Sequence, residues 1–235
     1  MTSLSLTPEA PPRTTRDLLI QEGLRSFTSR GFDGASLREI ERDAGVGRGL
    51  VAHHFGTKDG LWRDCVNWLM GRYHAELESV RENLADVSPL ERARVLLRVH
   101  VRFVARNPEY TRLLVLSGAA DTERVRWMIE TWIEPSYEFF YRLSGQQRRP
   151  DRAAAMAAYA FTGAASMFFT LPVEARAVFG VDVSDEEVVE QFADFLVGWA
   201  DYGTAPGGGL TSALDRALGR AGLLEVAQPG AEVDG

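Results

Sequence analysis

Apolar residues recur along most of this chain at steps of three and four, the period of a helix with one buried face. Leu19, Ile20, Leu24 and Phe27 mark a first helix over about 14–30; Thr14 and Asp17 open it as a capping box and Gly31 closes it. Ser36 with Glu39 three residues on reads as a second capping box, opening a helix that stops at Gly45. A short helix follows over about 48–54. Thr57 then caps a long helix to about Val87, with Leu61, Cys65, Trp68, Leu69, Tyr73, Leu77, Val80 and Leu84 on one stripe. About thirty helical residues would span about 45 Å.

Ser88-Pro89-Leu90-Glu91 combines an N-cap, a proline at the first helical position and a glutamate at the third, so another helix runs from there to about Asn107. Short and long helices follow over about 108–117 and 121–143, and Pro135 inside the second should kink it. Two more cover about 151–171 and 184–202, the latter opened by Ser184 with Glu187. Pro172 and Gly180 make Val173–Val183 a loop. Gly207-Gly208-Gly209 breaks the chain before a weak helix at about 210–224 and an acidic tail. No repeat and no strand stands out, so the class is all-α.

Ala153–Leu171 carries no charge, which raises the question of a membrane span. Much of it is Ala, Gly, Ser and Thr, weak drivers of insertion, so it reads as a buried helix. Its small residues suit a close helix–helix seam, inside one subunit or between two.

The chain has 235 residues, 45% hydrophobic and 25% charged, which excludes a wholly disordered chain and leaves room for one or two domains. A single cysteine, Cys65, excludes an internal disulfide framework and a four-cysteine zinc site, and on the apolar stripe it reads as an inert buried thiol. Met1–Pro12 has neither a basic nor an apolar run of the secretory kind; a cytoplasmic protein is expected. Residues 1–62 carry 8 Lys+Arg against 8 Asp+Glu, and residues 63–235 carry 18 against 25. A nucleic-acid partner would therefore have to meet a local patch.

Such a patch is present in the sequence. Ser36 to Phe55 is a helix, a tight glycine-containing turn and a second short helix: a helix-turn-helix. Ile40, Ala44, Val46, Val51 and Phe55 would lock the two helices together and onto Leu24 and Phe27. Gly47, Arg48, Gly49, Leu50, Ala52 and His53 would then face outward, a short and partly basic segment suited to a major groove about 12 Å wide.

The run Phe27, Gly31-Phe32, Ser36, Ile40, Ala44-Gly45-Val46, Gly49, His53-His54-Phe55, Thr57-Lys58-Asp59 and Leu61 resembles TetR/AcrR-type transcriptional repressors over about residues 14–66. The resemblance implies an N-terminal three-helix helix-turn-helix DNA-binding domain and a larger C-terminal helical ligand-binding and dimerisation domain, about nine or ten helices in all. It divides the chain into a flexible arm (1–13), the DNA-binding domain (14–60, recognition helix about 47–54), the ligand-binding and dimerisation domain (61–203) and a C-terminal extension (204–235). Ser36 and Lys58 would touch phosphates; Gly47, Arg48, Gly49, Leu50, Ala52, His53 and His54 would face bases or backbone. Arg48 is the base reader of choice, and Arg38 joins the contacting set. Three departures affect operator choice: Gly47 stands where the family usually has Ser, and Ala52 where it has Tyr. Glu41 replaces an alanine at the close helix approach, so its carboxylate is expected to swing into solvent or pair with an arginine.

Other groups read more plainly. His53 and His54 point about 100° apart on a helix and cannot grip one metal, and His74 and His100 have no neighbouring ligands, so no metal or other cofactor is expected. Glu130, Glu134 and Glu138 form a solvated stripe. The dense aromatics of the later helices are mostly core, with Trp132, Tyr159 and Phe168 as candidates for an effector pocket. Phe192, Phe195, Leu196 and Trp199 are candidate anchors of a dimer seam formed by the helices at about 151–171 and 184–202. No enzymatic motif is present. The expectation is a homodimeric repressor of double-stranded operator DNA, released by a small apolar or aromatic effector that tilts the helix starting at Lys58. The alternatives are a helical small-molecule-binding or scaffold protein with a non-functional DNA module, or an activator of the same architecture.

Overall fold

In the computed structural model, residues 14–81, 84, 86–118, 121–143 and 152–203 are described, and they contain helices and no strand. The expected arm, the helix at about 210–224 and the acidic tail lie outside these residues. The chain divides into two compact units between Gly71 and Arg72, inside its fourth helix.

The first unit holds α1 (Thr15–Gly34), α2 (Leu37–Asp43), α3 (Leu50–Phe55) and the start of α4 (Lys58–Arg81). Thr14 caps α1 as a reciprocal box with Asp17, and the helical path breaks at Gly31. Leu19, Ile20, Leu24 and Phe27 of α1 are buried with Ile40, Val51, Leu61, Trp62, Cys65 and Val66. The Cys65 thiol donates to the Ile20 carbonyl at 3.3 Å, and burial pushes its pKa far up, as an inert core thiol requires. Thr57 caps α4 by accepting the Gly60 N–H at 3.0 Å. A Cβ on Gly60 would stand 2.1 Å from the Phe55 carbonyl oxygen, so only glycine lets α3 turn this closely into α4.

The expected capping box at Ser36 does not form. Ser36 makes no side-chain capping bond, and the Glu39 carboxylate pairs with Arg30 of α1 instead. A full guanidinium outcompetes a single backbone N–H for that carboxylate.

The second unit continues with α5 (Pro89–Arg106), α6 (Glu109–Gly118), α7 (Glu123–Met128), a π-helical turn (Ile129–Ile133), α8 (Glu134–Leu143), α9 (Arg152–Thr170), α10 (Pro172–Phe179) and α11 (Glu186–Gly203). Ser88 caps α5 as expected, accepting the Glu91 N–H at 3.3 Å. Leu96, Val101, Phe103 and Val104 bury one face of α5, which packs against α8, α9 and α11. Arg102 holds Glu190 of α11 through two bonds of 2.6 Å, and Arg98 pairs with Asp194.

Four expectations about this unit change. α4 is described to Arg81 and does not reach Val87, because the chain must turn before the Ser88 cap: Leu84 sits in a 3₁₀ turn and Asp86 and Val87 lie outside the helix. Pro135 does not simply kink one helix: a π turn precedes it, with the Glu134 N–H bonded to the Ile129 carbonyl. Pro135, the second residue of α8, cannot donate to the helical ladder, and the wider π turn just before it is where the continuous helix adjusts. Val173–Val183 is largely helix rather than loop. Pro172 is the first residue of α10, and Gly180, with φ +67, ends it, so the two apparent breakers are start and stop signals. Finally, Asp185 rather than Ser184 opens α11, accepting the Glu187 N–H at 2.9 Å, while the Ser184 hydroxyl donates to Asp182.

α9 turns Ala165 and Ser166 inward and leaves Met156, Tyr159 and Met167 exposed. Among the described residues, no helix is long and apolar enough to cross a membrane.

Candidate nucleic-acid interface

Ile40 of α2 and Val51 of α3 are each 1% exposed and pin the helix pair to the core. Ala44, Val46 and Phe55, expected beside them, are half-buried. Between the helices the Gly45 N–H donates to the Arg42 carbonyl and the Val46 N–H to the Glu41 carbonyl, both at 3.0 Å. Gly49 stands at φ +85 as the residue before α3, a left-handed conformation that L side chains resist, and the first helical bond runs from His53 N–H to Gly49 O. α3 is therefore shorter than expected, and Gly47 and Arg48 belong to the turn.

Gly47, Arg48, Gly49, Ala52, His53 and His54 are exposed; Leu50 is half-buried against the turn. Arg38 is exposed on α2 and Ser36 half-buried at its start. Arg38, Arg42 and Arg48 line a shallow concavity of about 320 Å³ with Glu39, Glu41 and Val46. Arg42 is held by Asp43 at 2.8 Å, whereas Arg38 and Arg48 have no hydrogen-bond or ion-pair partner among the described residues. Two guanidiniums without an ion-pair partner among the described residues thus share one concavity at the turn before α3. Lys58 is half-buried: its ammonium donates to the Asp33 carbonyl at 3.3 Å and stands 4.8 Å from the Phe32 ring centre, so it is already oriented with further donors to offer. The His53 and His54 rings lie edge to face at 4.9 Å, and no metal-holding cluster occurs among the described residues.

Glu41 departs from expectation. It neither reaches solvent nor pairs with an arginine; it is 5% exposed, and its Oε1 accepts the backbone N–H of Val51 at 2.9 Å. The sequence offers one hint in retrospect, a turn of glycines with no side chain to cap α3.

In the second unit the three candidate pocket residues do not converge. Trp132 lies in the π turn, its ring 5.2 Å from His74, whose Nε2 is 2.6 Å from Ser136 Oγ. Partial burial lowers the His74 pKa. Tyr159 is 76% exposed, and Phe168 stacks on Phe192 at 4.4 Å. Of the seam candidates, Leu196 is fully buried in its own unit and has no surface to present to a second chain. Phe192, Phe195 and Trp199 are half-buried in an aromatic row with Phe168, Phe169 and Phe161. Exposed apolar residues lie on α9 and α10 (Met156, Tyr159, Met167, Val173, Val178 and Phe179), and others on α5, α6 and the π turn (Leu90, Val115, Leu116 and Ile129). Pro172 and Gly180, taken as helix signals, would have revealed the second of these surfaces. Glu130, Glu134 and Glu138 are exposed, as expected of a solvated stripe.

Residues 19–65 match the family model described as bacterial regulatory proteins, tetR family. Over 93 residues the chain is 33% identical to the HTH-type transcriptional repressor KstR2 of Mycolicibacterium smegmatis, covering 37% of this chain and 42% of the relative. Over 116 residues it is 31% identical to the HTH-type transcriptional regulator BetI of Rhizobium meliloti, covering 48% and 56%. The chain thus spans about half the length of the curated relatives it matches. These relatives are transcriptional regulators, not enzymes. In fold it is similar to a TetR-like regulator from Rhodococcus sp. RHA1, with TM-score 0.59 at 20% identity over 83% of this chain and 98% of the other. It is also similar to the fatty acid degradation regulator FadR of Bacillus halodurans, with TM-score 0.55 at 15% identity over 80% and 97%.

Proposed function

We infer, from the premise that this chain belongs to the TetR family of bacterial regulatory proteins, that it is a ligand-responsive repressor binding a two-fold operator as a homodimer. The observation that carries the DNA reading is the pair Arg38 and Arg48, exposed, without a protein partner among the described residues, and lining one concavity beside the turn that leads into α3. Guanidiniums that face solvent and are not engaged by the protein have all their donors available to phosphate oxygens and base edges. Arg48, on the rigid turn, would read a guanine edge; Ser36, Arg38 and Lys58 would hold phosphates; Gly47, Gly49, Leu50, Ala52, His53 and His54 would line the groove. Glu41 is turned inward, with its carboxylate engaged by the Val51 N–H, which supports a working module over a lost one.

A six-residue recognition helix reads few base pairs, so two copies are needed for a specific site. The surface that supports self-association is the uncharged α9 face with α10, rather than α11, whose Leu196 is spent in the core. Met156, Tyr159, Gly163 and Met167 fall on one side of α9, and a Cβ at Gly163 would meet nothing within its own chain. A small apolar or aromatic effector would act in the second unit; Trp132, beside the π turn and His74, retains the best claim to contact it. α4 belongs to both units and is the covalent route for such a signal.

The test is selection of duplexes from a randomised pool by the purified chain, followed by footprinting at several salt concentrations. Recovery of an inverted repeat with protected half-sites supports the reading. Binding that is weak, sequence-indifferent and carried by monomers would overturn it.

A further inference from the structure

Glu41 bridges both sides of the turn that presents α3. Its backbone carbonyl accepts the Val46 N–H at 3.0 Å, and its side-chain carboxylate accepts the Val51 N–H at 2.9 Å. The first residues of a helix carry N–H groups with no intrahelical partner. In most helices a Ser, Thr, Asp or Asn just before the first turn satisfies one of them. Here that place belongs to Gly49, and Gly47 precedes it, so neither supplies a side chain; α3 has no capping bond from its own N-cap residue. The cap arrives from the preceding helix, ten residues back. It is also buried, which makes the carboxylate–N–H bond stronger and its loss more costly than at a solvent-exposed cap.

We propose that Glu41 is a positioning residue for DNA recognition: its carboxylate sets where and at what angle α3 and Arg48 are offered to the groove. This rests on the DNA-binding reading above. The buried carboxylate touches no DNA in this scheme. It acts by removing the freedom of a three-glycine turn, Gly45, Gly47 and Gly49, which would otherwise let the six-residue helix rock about Val51.

The experiment compares the full chain with Glu41→Gln, which keeps an oxygen acceptor, and Glu41→Ala, which does not. Both remove the charge, so any difference between them isolates the cap. Two quantities are read: hydrogen exchange at the Val51 amide without DNA, and the ratio of affinities for a wild-type-selected duplex and an unselected duplex of equal length. Glu41→Ala should speed Val51 exchange and lower the ratio, each by about tenfold or more, while Glu41→Gln stays within about threefold of wild type. Unchanged exchange at Leu24 and Phe27 in α1 shows that the variant is folded. A Glu41→Ala chain that discriminates as well as Glu41→Gln overturns the positioning role alone. A wild-type chain that selects no sequence overturns the DNA reading and the role together.

Discussion

The Tyr73 hydroxyl lies 2.9 Å from Nδ1 of His100, and the pair sits inside an aromatic cluster with Phe103 and Tyr110. The contact joins α4 to α5 at the centre of the second unit. His100 is buried and its Nε2 has no partner among the described residues, and burial pulls its pKa down to about 4. The core therefore holds it neutral.

A pH dependence follows. The unfolded chain takes up a proton on this histidine near its ordinary value of 6.5, but the folded chain only near 4. Between those values the unfolded state binds more protons, so stability is full above about pH 6.5 and falls as the pH drops toward 4. The share from His100 is about 2 kcal/mol at pH 5. His74, also lowered, adds in the same direction. Urea midpoints at pH 7, 6 and 5 should show this decline, and His100→Phe should show a shallower one; parallel declines would remove His100 as its source.

Arg48→Ala should weaken binding to a selected duplex by about 1–3 kcal/mol and relax base preference at one position in each half-site. Footprints and repeated selection with the variant check this. An unaltered preference would assign base reading elsewhere on the module.

Lys58→Ala should lower affinity for selected and unselected DNA alike and reduce the slope of log K against log salt by about 0.9. Because the ammonium also tethers Asp33 and caps the Phe32 ring, a small loss of stability is expected with it. The salt slope distinguishes the two roles, since a merely structural lysine leaves it unmoved.

Gly60→Ala should destabilise the first unit by about 2 kcal/mol or more, because the new Cβ meets the Phe55 carbonyl at 2.1 Å and backbone must move. Since that carbonyl ends α3, the variant should also lose sequence selectivity. Thermal unfolding with and without a selected duplex measures both.

Gly163→Leu tests the proposed dimer face. Within one chain the new side chain meets open space and improves helix propensity by about 0.5–1 kcal/mol. If α9 faces a second copy, the same change should abolish dimers, as should Phe179→Asp on α10, which is 71% exposed. Light scattering reads the mass and circular dichroism confirms the fold. A dimer that survives both substitutions lies on another surface.

The sequence by itself determined what depends on neighbours within a few residues. The Thr14–Asp17 box, the Thr57 and Ser88 caps and the helical stripes of α1, α4 and α5 are local agreements between propensity and spacing. The helix-turn-helix is legible for the same reason, being a short contiguous segment whose glycines and apolar residues must fall in fixed places. What lay beyond reach was competition between partners distant in sequence. Glu39 has both a local N–H and Arg30 to choose from, and only the packing of α1 on α2 awards it to the arginine. Glu41 finds Val51 because the turn folds α3 back over α2, and Leu196 vanishes into the core because α5 covers that side of α11. Periodicity says that a face is apolar; which neighbour covers it, and which polar group is buried with it, is decided when the helices meet.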